Sequence, residues 1–114
     1  MSHPLVGKSF VFDLDPLHIR YTFDSETQAT FIVEKGGGLA PDGHTETVKI
    51  DLKEIRPNVY LNSWAEASEA TVTHVEDFEN GVLYSNVTIE GTIYNFVGTI
   101  VGEAPKSIRT SSSL

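Results

Sequence analysis

Apolar and polar residues alternate along most of this chain with a period of two, the pattern of strands with one inward and one outward face. Residues 59–66, VYLNSWAE, show it over their whole length. One parity carries Val59, Leu61, Ser63 and Ala65, and the other carries Tyr60, Asn62, Trp64 and Glu66. Strand-like runs also cover residues 10–14, 17–24, 28–34, 44–52, 70–77, 82–89 and 92–101, with the 59 run extending to 67. Between them stand turn signals: Asp15-Pro16, Ser25-Glu26-Thr27, Asn80-Gly81 and Glu90-Gly91. Residues 36–43, GGGLAPDG, read as a loop at one mouth of the fold, where a lid could sit. Residues 53–58 read as a connection, with Pro57 interrupting any ladder. No stretch carries a clear 3.6-residue apolar stripe, so helices are at most short.

Short strands at regular spacing, joined by tight turns, predict an all-β antiparallel up-and-down barrel of about eight strands. Simple hairpins propagate the faces. Leu14 opposite Leu17 sets Phe12 against Ile19 and Phe10 against Tyr21. Phe23 opposite Ala29 sets Tyr21 against Phe31. Glu66 opposite Ala70 sets Trp64 against Val72 and Asn62 against His74. Phe78 opposite Leu83 sets His74 against Val87, and Ile89 opposite Thr92 sets Val87 against Tyr94 and Ser85 against Phe96. One face then collects Phe10, Phe12, Leu14, Ile19, Tyr21, Phe23, Phe31, Val33, Trp64, Val72, Val87, Ile89, Tyr94 and Phe96. The other carries mostly threonine and asparagine, as a solvated face does. Asn62, Glu66 and His74 break the apolar pattern of the inner face. A filled barrel of this size takes Val, Ile and Leu inside; a barrel that holds a ligand keeps large apolar walls and a few polar groups to orient it.

Length and charge narrow the function. At 114 residues the chain holds one domain, expected over residues 1–102, with a frayed polar tail over 103–114. The net charge of −8, from 16 acidic and 8 basic residues, argues against nucleic acid and anionic membrane surfaces. The absence of cysteine removes disulfides, thiolate metal sites and cysteine nucleophiles, and fits a cytoplasmic protein. Nothing reads as a signal peptide or a membrane span. Glu66 and His74 supply two ligands where a metal needs three or four, so no metal and no cofactor are expected. There is no G-x-S-x-G, and the Gly36-Gly37-Gly38 run lacks the Lys and helix of a phosphate loop.

The segment VYLNSWAEASEATVTHVEDFENGVLYSNV, residues 59–87, resembles the core of the MoaF-like proteins, small calycin-type barrels related to lipocalins. An aromatic residue, then Ser-Trp-x-Glu, a short turn, Thr-x-Thr and a Tyr-Ser-Asn hairpin stand here between Tyr60 and Asn86. Gly7 before the first aromatic strand and Gly98-Thr99 near the end fit the same plan. The resemblance implies a ligand-binding barrel. The Ser-Trp-x-Glu strand is also similar to that of phenolic acid decarboxylases, whose motif glutamate transfers a proton; that role would fall on Glu66. The tyrosine pair of those enzymes is replaced here by Phe10 and Phe12, and no arginine stands in residues 36–43, so the resemblance does not extend to their substrate.

Three functions follow, from different classes. The first is a lipocalin-like barrel binding a small, largely apolar, aromatic molecule, lined by Phe10, Phe12, Tyr21, Phe31, Asn62, Trp64, Glu66, His74, Tyr94 and Phe96, with Glu66 and His74 as polar anchors. The second is a lyase, isomerase or cyclase in which Glu66, with His74, transfers a proton. The third is an interaction module with a filled barrel. Glu66 is expected beside Trp64, within reach of His74 or Asn62. Outward apolar residues Val59, Leu61, Val75, Ile93 and Val97 lead to the expectation of a homodimer.

Overall fold

A computed structural model describes residues 3–104. The strands are β1 (Ser9–Asp13), β2 (His18–Phe23), β3 (Gln28–Lys35), β4 (Thr45–Arg56), β5 (Val59–Ala65), β6 (Thr71–Asp77), β7 (Val82–Ile89) and β8 (Thr92–Ala104). They pair antiparallel in chain order, and β8 returns to β1, so the sheet closes as an all-β barrel. The expectation of a frayed tail concerns residues that, beyond Ala104, lie outside the described ones.

The pairings set by tight turns are the expected ones: Phe10 with Tyr21, Tyr21 with Phe31, Trp64 with Val72, Asn62 with His74, and Val87 with Tyr94. The β6–β7 pairing differs. Asp77 meets Val82, so His74 faces Ser85 and Val72 faces Val87, a slip of two residues from the predicted register. The turn starts earlier because Asp77 holds it: Oδ1 accepts from the amides of Glu79 (3.0 Å) and Asn80 (3.0 Å), and Oδ2 accepts from Asn80 Nδ2 (2.9 Å). A slip of two preserves the inward parity, so the faces survive. The predicted connection over residues 53–58 is also shorter. β4 runs on to Arg56 against β5, and the chain reverses at Pro57 and Asn58, the latter at φ 69°.

The two ends of the barrel are filled differently. At one, Phe78 packs on Phe10, Tyr60 and Phe23, with ring centroids 4.8, 6.0 and 6.4 Å away, and Leu5 is buried in the same core. The segment before β1 is tied there by the Gly7 amide, which donates to the Phe23 carbonyl (2.7 Å). At the other end lie the β1–β2 turn, the 36–43 loop, the β5–β6 turn and the β7–β8 turn. This end stays open.

β8 is longer than its partner on one side. Its pairing with β1 begins only at Thr99, so residues 92–98 are laddered, among the described residues, to β7 alone. Gly98 lets β1 approach there, since a Cβ on it would collide with the Asp13 carbonyl. Tyr94, inward by parity, is therefore 37% exposed, and Ile93 and Val97 stand 61% and 69% exposed. Of the other outward apolar residues, Val59 is buried, and Leu61 and Val75 are half-buried.

Candidate functional site

Two adjoining cavities occupy the open end. The outer one, about 340 Å³, is lined by Leu17, Ile19, Phe31 and Val33 from β2, β3 and the turn before β2, by Leu39, Ala40, Pro41 and His44 from the loop, and by Glu66, Ser68, Ala70, Val87 and Ile89. The inner one, about 50 Å³, reaches Leu14, Tyr21, Trp64, Val72 and His74. Leu17, Ile19, Phe31 and Glu66 line both. The outer volume falls within the roughly 300–1,000 Å³ range of small-molecule sites, and its walls are chiefly apolar as such sites require.

Glu66 stands at the junction because it directly follows β5 on the inward parity, where the chain turns at the rim. It is half-buried, and its Oε2 accepts from Trp64 Nε1 (3.2 Å). Burial raises its pKa above the ordinary glutamate value. The Trp64 hydrogen bond draws it back, Glu46 adds to the rise, and His44 and His74 oppose it. Glu46 is itself committed, with one oxygen on the Ala67 amide (2.6 Å) and the other on His44 Nε2 (3.2 Å). The expected contact of Glu66 with His74 or Asn62 is not among its hydrogen bonds; the tryptophan of its own strand takes that place.

The polar groups deeper in the barrel gather instead around Glu76, a residue that the sequence reading passed over. Asn62, His74 and Ser85 lie side by side on β5, β6 and β7, and all three are buried. Glu76, fully buried one inward step further along β6, accepts from Asn62 Nδ2 (3.1 Å), and its Oε2 lies 3.0 Å from His74 Nδ1. Asn62 Nδ2 also donates to the Tyr21 hydroxyl (3.0 Å). Burial, and then the Glu76 charge, holds the Tyr21 phenol well above its ordinary pKa. A buried carboxylate is costly unless it is hydrogen-bonded, and these contacts supply part of what it needs. Among the described residues, Asn62 Oδ1, Glu76 Oε1 and Ser85 Oγ find no hydrogen-bond partner and are sealed from solvent. The parity of Val72, His74 and Glu76 was the signal that could have found Glu76.

The proposed lining residues thus divide. Tyr21, Phe31, Trp64, Glu66 and His74 line the cavities. Phe12 and Asn62 lie behind that wall, Phe12 against the rings of Tyr21 (5.0 Å) and His74 (5.4 Å). Phe10 belongs to the closed end, and Tyr94 and Phe96 to the strand that outruns β1; none of the three lines either cavity. Among the described residues, no three His, Cys, Asp or Glu side chains come together to hold a metal ion, and no helix is long and apolar enough to cross a membrane.

No curated protein sequence matches the chain. A crystal structure described as "a putative beta-lactamase from Burkholderia vietnamiensis" is similar, with a TM-score of 0.82 and 23% identity over 91% of this chain and 99% of that one. At that identity the likeness is one of fold. This chain has no S-x-x-K, the nucleophile motif of serine β-lactamases. The sequence profile of the MoaF-like family matches residues 6–101, from the segment before β1 to the last strand, and the chain belongs to that family.

Proposed function

We propose that the barrel binds a small, largely apolar molecule with an aromatic or similarly flat body in the cavities of its open end. The observation that carries this reading is the outer cavity of about 340 Å³, walled by aliphatic and aromatic side chains, with a half-buried carboxylate set where the two cavities meet. A chain with no use for Glu66 gains by having an apolar residue there, since a partly desolvated carboxylate opposes folding. Glu66 and His74 act as polar anchors, and Trp64 and Phe31 as walls. Native mass spectrometry of the purified protein tests the reading. A small molecule retained by the folded protein and released on denaturation is the expected result. A bare mass, together with no response of Trp64 fluorescence to 4-ethyltoluene or 4-ethylphenol, contradicts it.

One observation favours a second reading, a lyase, isomerase or cyclase. Burial raises the pKa of the Glu66 carboxyl above the ordinary glutamate value, the direction in which a proton-transferring carboxyl is tuned. Glu66→Gln separates the two. In an enzyme it abolishes turnover and preserves binding; in a binder it changes affinity by about 1–3 kcal/mol, the scale of one buried polar contact. If Glu66→Leu leaves binding intact and raises stability, the carboxylate has neither role.

A further inference from the structure

We infer that His74 forms the polar floor of the inner cavity, with Glu76 behind it holding the ring as its Nδ1–H tautomer so that Nε2 is presented as a hydrogen-bond acceptor. The occupant this selects carries a donating head, a phenol-, enol- or alcohol-type hydroxyl, on an apolar body. The inference rests on the ligand-binding reading above and specifies the chemistry of the ligand.

Glu76 is fully buried, and among the described residues only two groups approach it as donors, Asn62 Nδ2 and His74 Nδ1, both at Oε2; Oε1 has none. A carboxylate so short of donors cannot release one of them without being left nearly bare in a low-dielectric interior. The proton of His74 is therefore kept on Nδ1, by the same logic that fixes a metal-ligating or catalytic histidine through a carboxylate behind it. The ring cannot swing away. Trp64 meets it edge-on at 4.9 Å between centroids and Phe12 at 5.4 Å, with Tyr21 at 6.4 Å.

With Nδ1 turned to Glu76, Nε2 is the nitrogen left to meet an occupant of the cavity that His74 lines. Of the other polar groups of that wall, Trp64 Nε1 is taken by Glu66, and the Tyr21 hydroxyl accepts from Asn62 and keeps its own proton, which a hydroxyl head can accept. The Glu66 carboxylate at the rim is a second acceptor and, like Nε2, favours a donating group. Size agrees with a head-first entry. About 50 Å³ accepts a hydroxyl and the atoms next to it, and the adjoining 340 Å³ takes the body. Glu76 is then a positioning residue, acting through His74.

Two measurements on the full-length wild-type protein test this without requiring any variant to fold. Nitrogen-15 spectra of histidine-labelled protein near neutral pH should show His74 protonated at Nδ1 and bare at Nε2. An Nε2–H tautomer or a doubly protonated ring overturns the assignment. Calorimetric titration with 4-ethylphenol and 4-ethyltoluene, which differ by a hydroxyl in place of a methyl group, should give at least about tenfold tighter binding of the phenol, because a site built around a hydroxyl rejects the analogue that lacks it. Equal binding of the two overturns the hydroxyl inference and leaves the ligand-binding reading standing; binding of neither removes both. Glu76→Gln sharpens the result. Its amide can donate to Nδ1 and move the proton to Nε2, so the phenol preference should vanish together with the change of tautomer. A Glu76→Gln protein that keeps both the Nδ1–H tautomer and the preference assigns Glu76 no positioning role.

Discussion

The two ends of this barrel are built from the same alternating strands and come to opposite results. At the closed end the inward positions hold Phe10, Phe23 and Tyr60, and Phe78 in the β6–β7 turn packs across them. At the open end the corresponding positions hold Leu14, Leu17, Ala70 and Ile89, smaller side chains that meet across the barrel only in part, and space remains. Between the ends sits a layer of Tyr21, Asn62, His74 and Ser85, which a purely structural core has no need of. The difference separates an end packed by aromatic rings from one that keeps space. Aromatic burial at one end supports the fold, and the other end is free to keep a cavity and a carboxylate.

The strongest way to break the comparison is at the closed end. Phe23 is fully buried, and Phe23→Ala should cost about 3–5 kcal/mol in chemical unfolding, as deletion of a buried ring does. Affinity of the folded fraction for 4-ethyltoluene should hardly change. A large loss of affinity at native conditions would show that the ends are not independent. Next in size is Glu66→Gln, for which calorimetry should give the change of about 1–3 kcal/mol in ligand affinity already argued, with stability moved far less. Leu17→Ala at the open end should cost less in unfolding than a core leucine does, about 1 kcal/mol, because the site already borders a cavity and little new void is made.

The smallest effect is on the pH dependence of stability. The folded-state pKa of Glu66 is raised, so the folded protein binds a proton more readily than the unfolded chain between the ordinary glutamate value and the elevated one. Its contribution therefore favours folding at the acid side of that window and is lost as pH rises through the elevated value. Glu66→Gln should flatten this part of the stability-against-pH curve in urea titrations. An unchanged slope would mean that the carboxyl is solvated in the folded state.

Much of this was legible in the sequence, for physical reasons that also explain the misses. Turns of two or three residues pin register, so the pairings of Phe12 with Ile19 and Trp64 with Val72 could be read directly. The β6–β7 turn is longer and is set by the Asp77 side chain, whose choice of amides no alternation pattern reveals. Parity placed Trp64, Glu66 and His74 inside, and they are inside. Depth along the barrel is a different quantity, set by the stagger of strands. For that reason Phe10 fell at the closed end, Tyr94 beyond the reach of β1, and Asn62 next to Glu76 rather than Glu66.

The central claim is that the open end holds the ligand, and backbone amide shifts during titration with 4-ethylphenol test it most directly. The account predicts that the largest changes fall on Leu17, Ile19, Phe31, Trp64, Glu66 and His74, with Phe10, Phe23, Tyr60 and Phe78 left nearly still. Changes centred on the closed end, or scattered over the outer face of β8 at Ile93 and Val97, would contradict it.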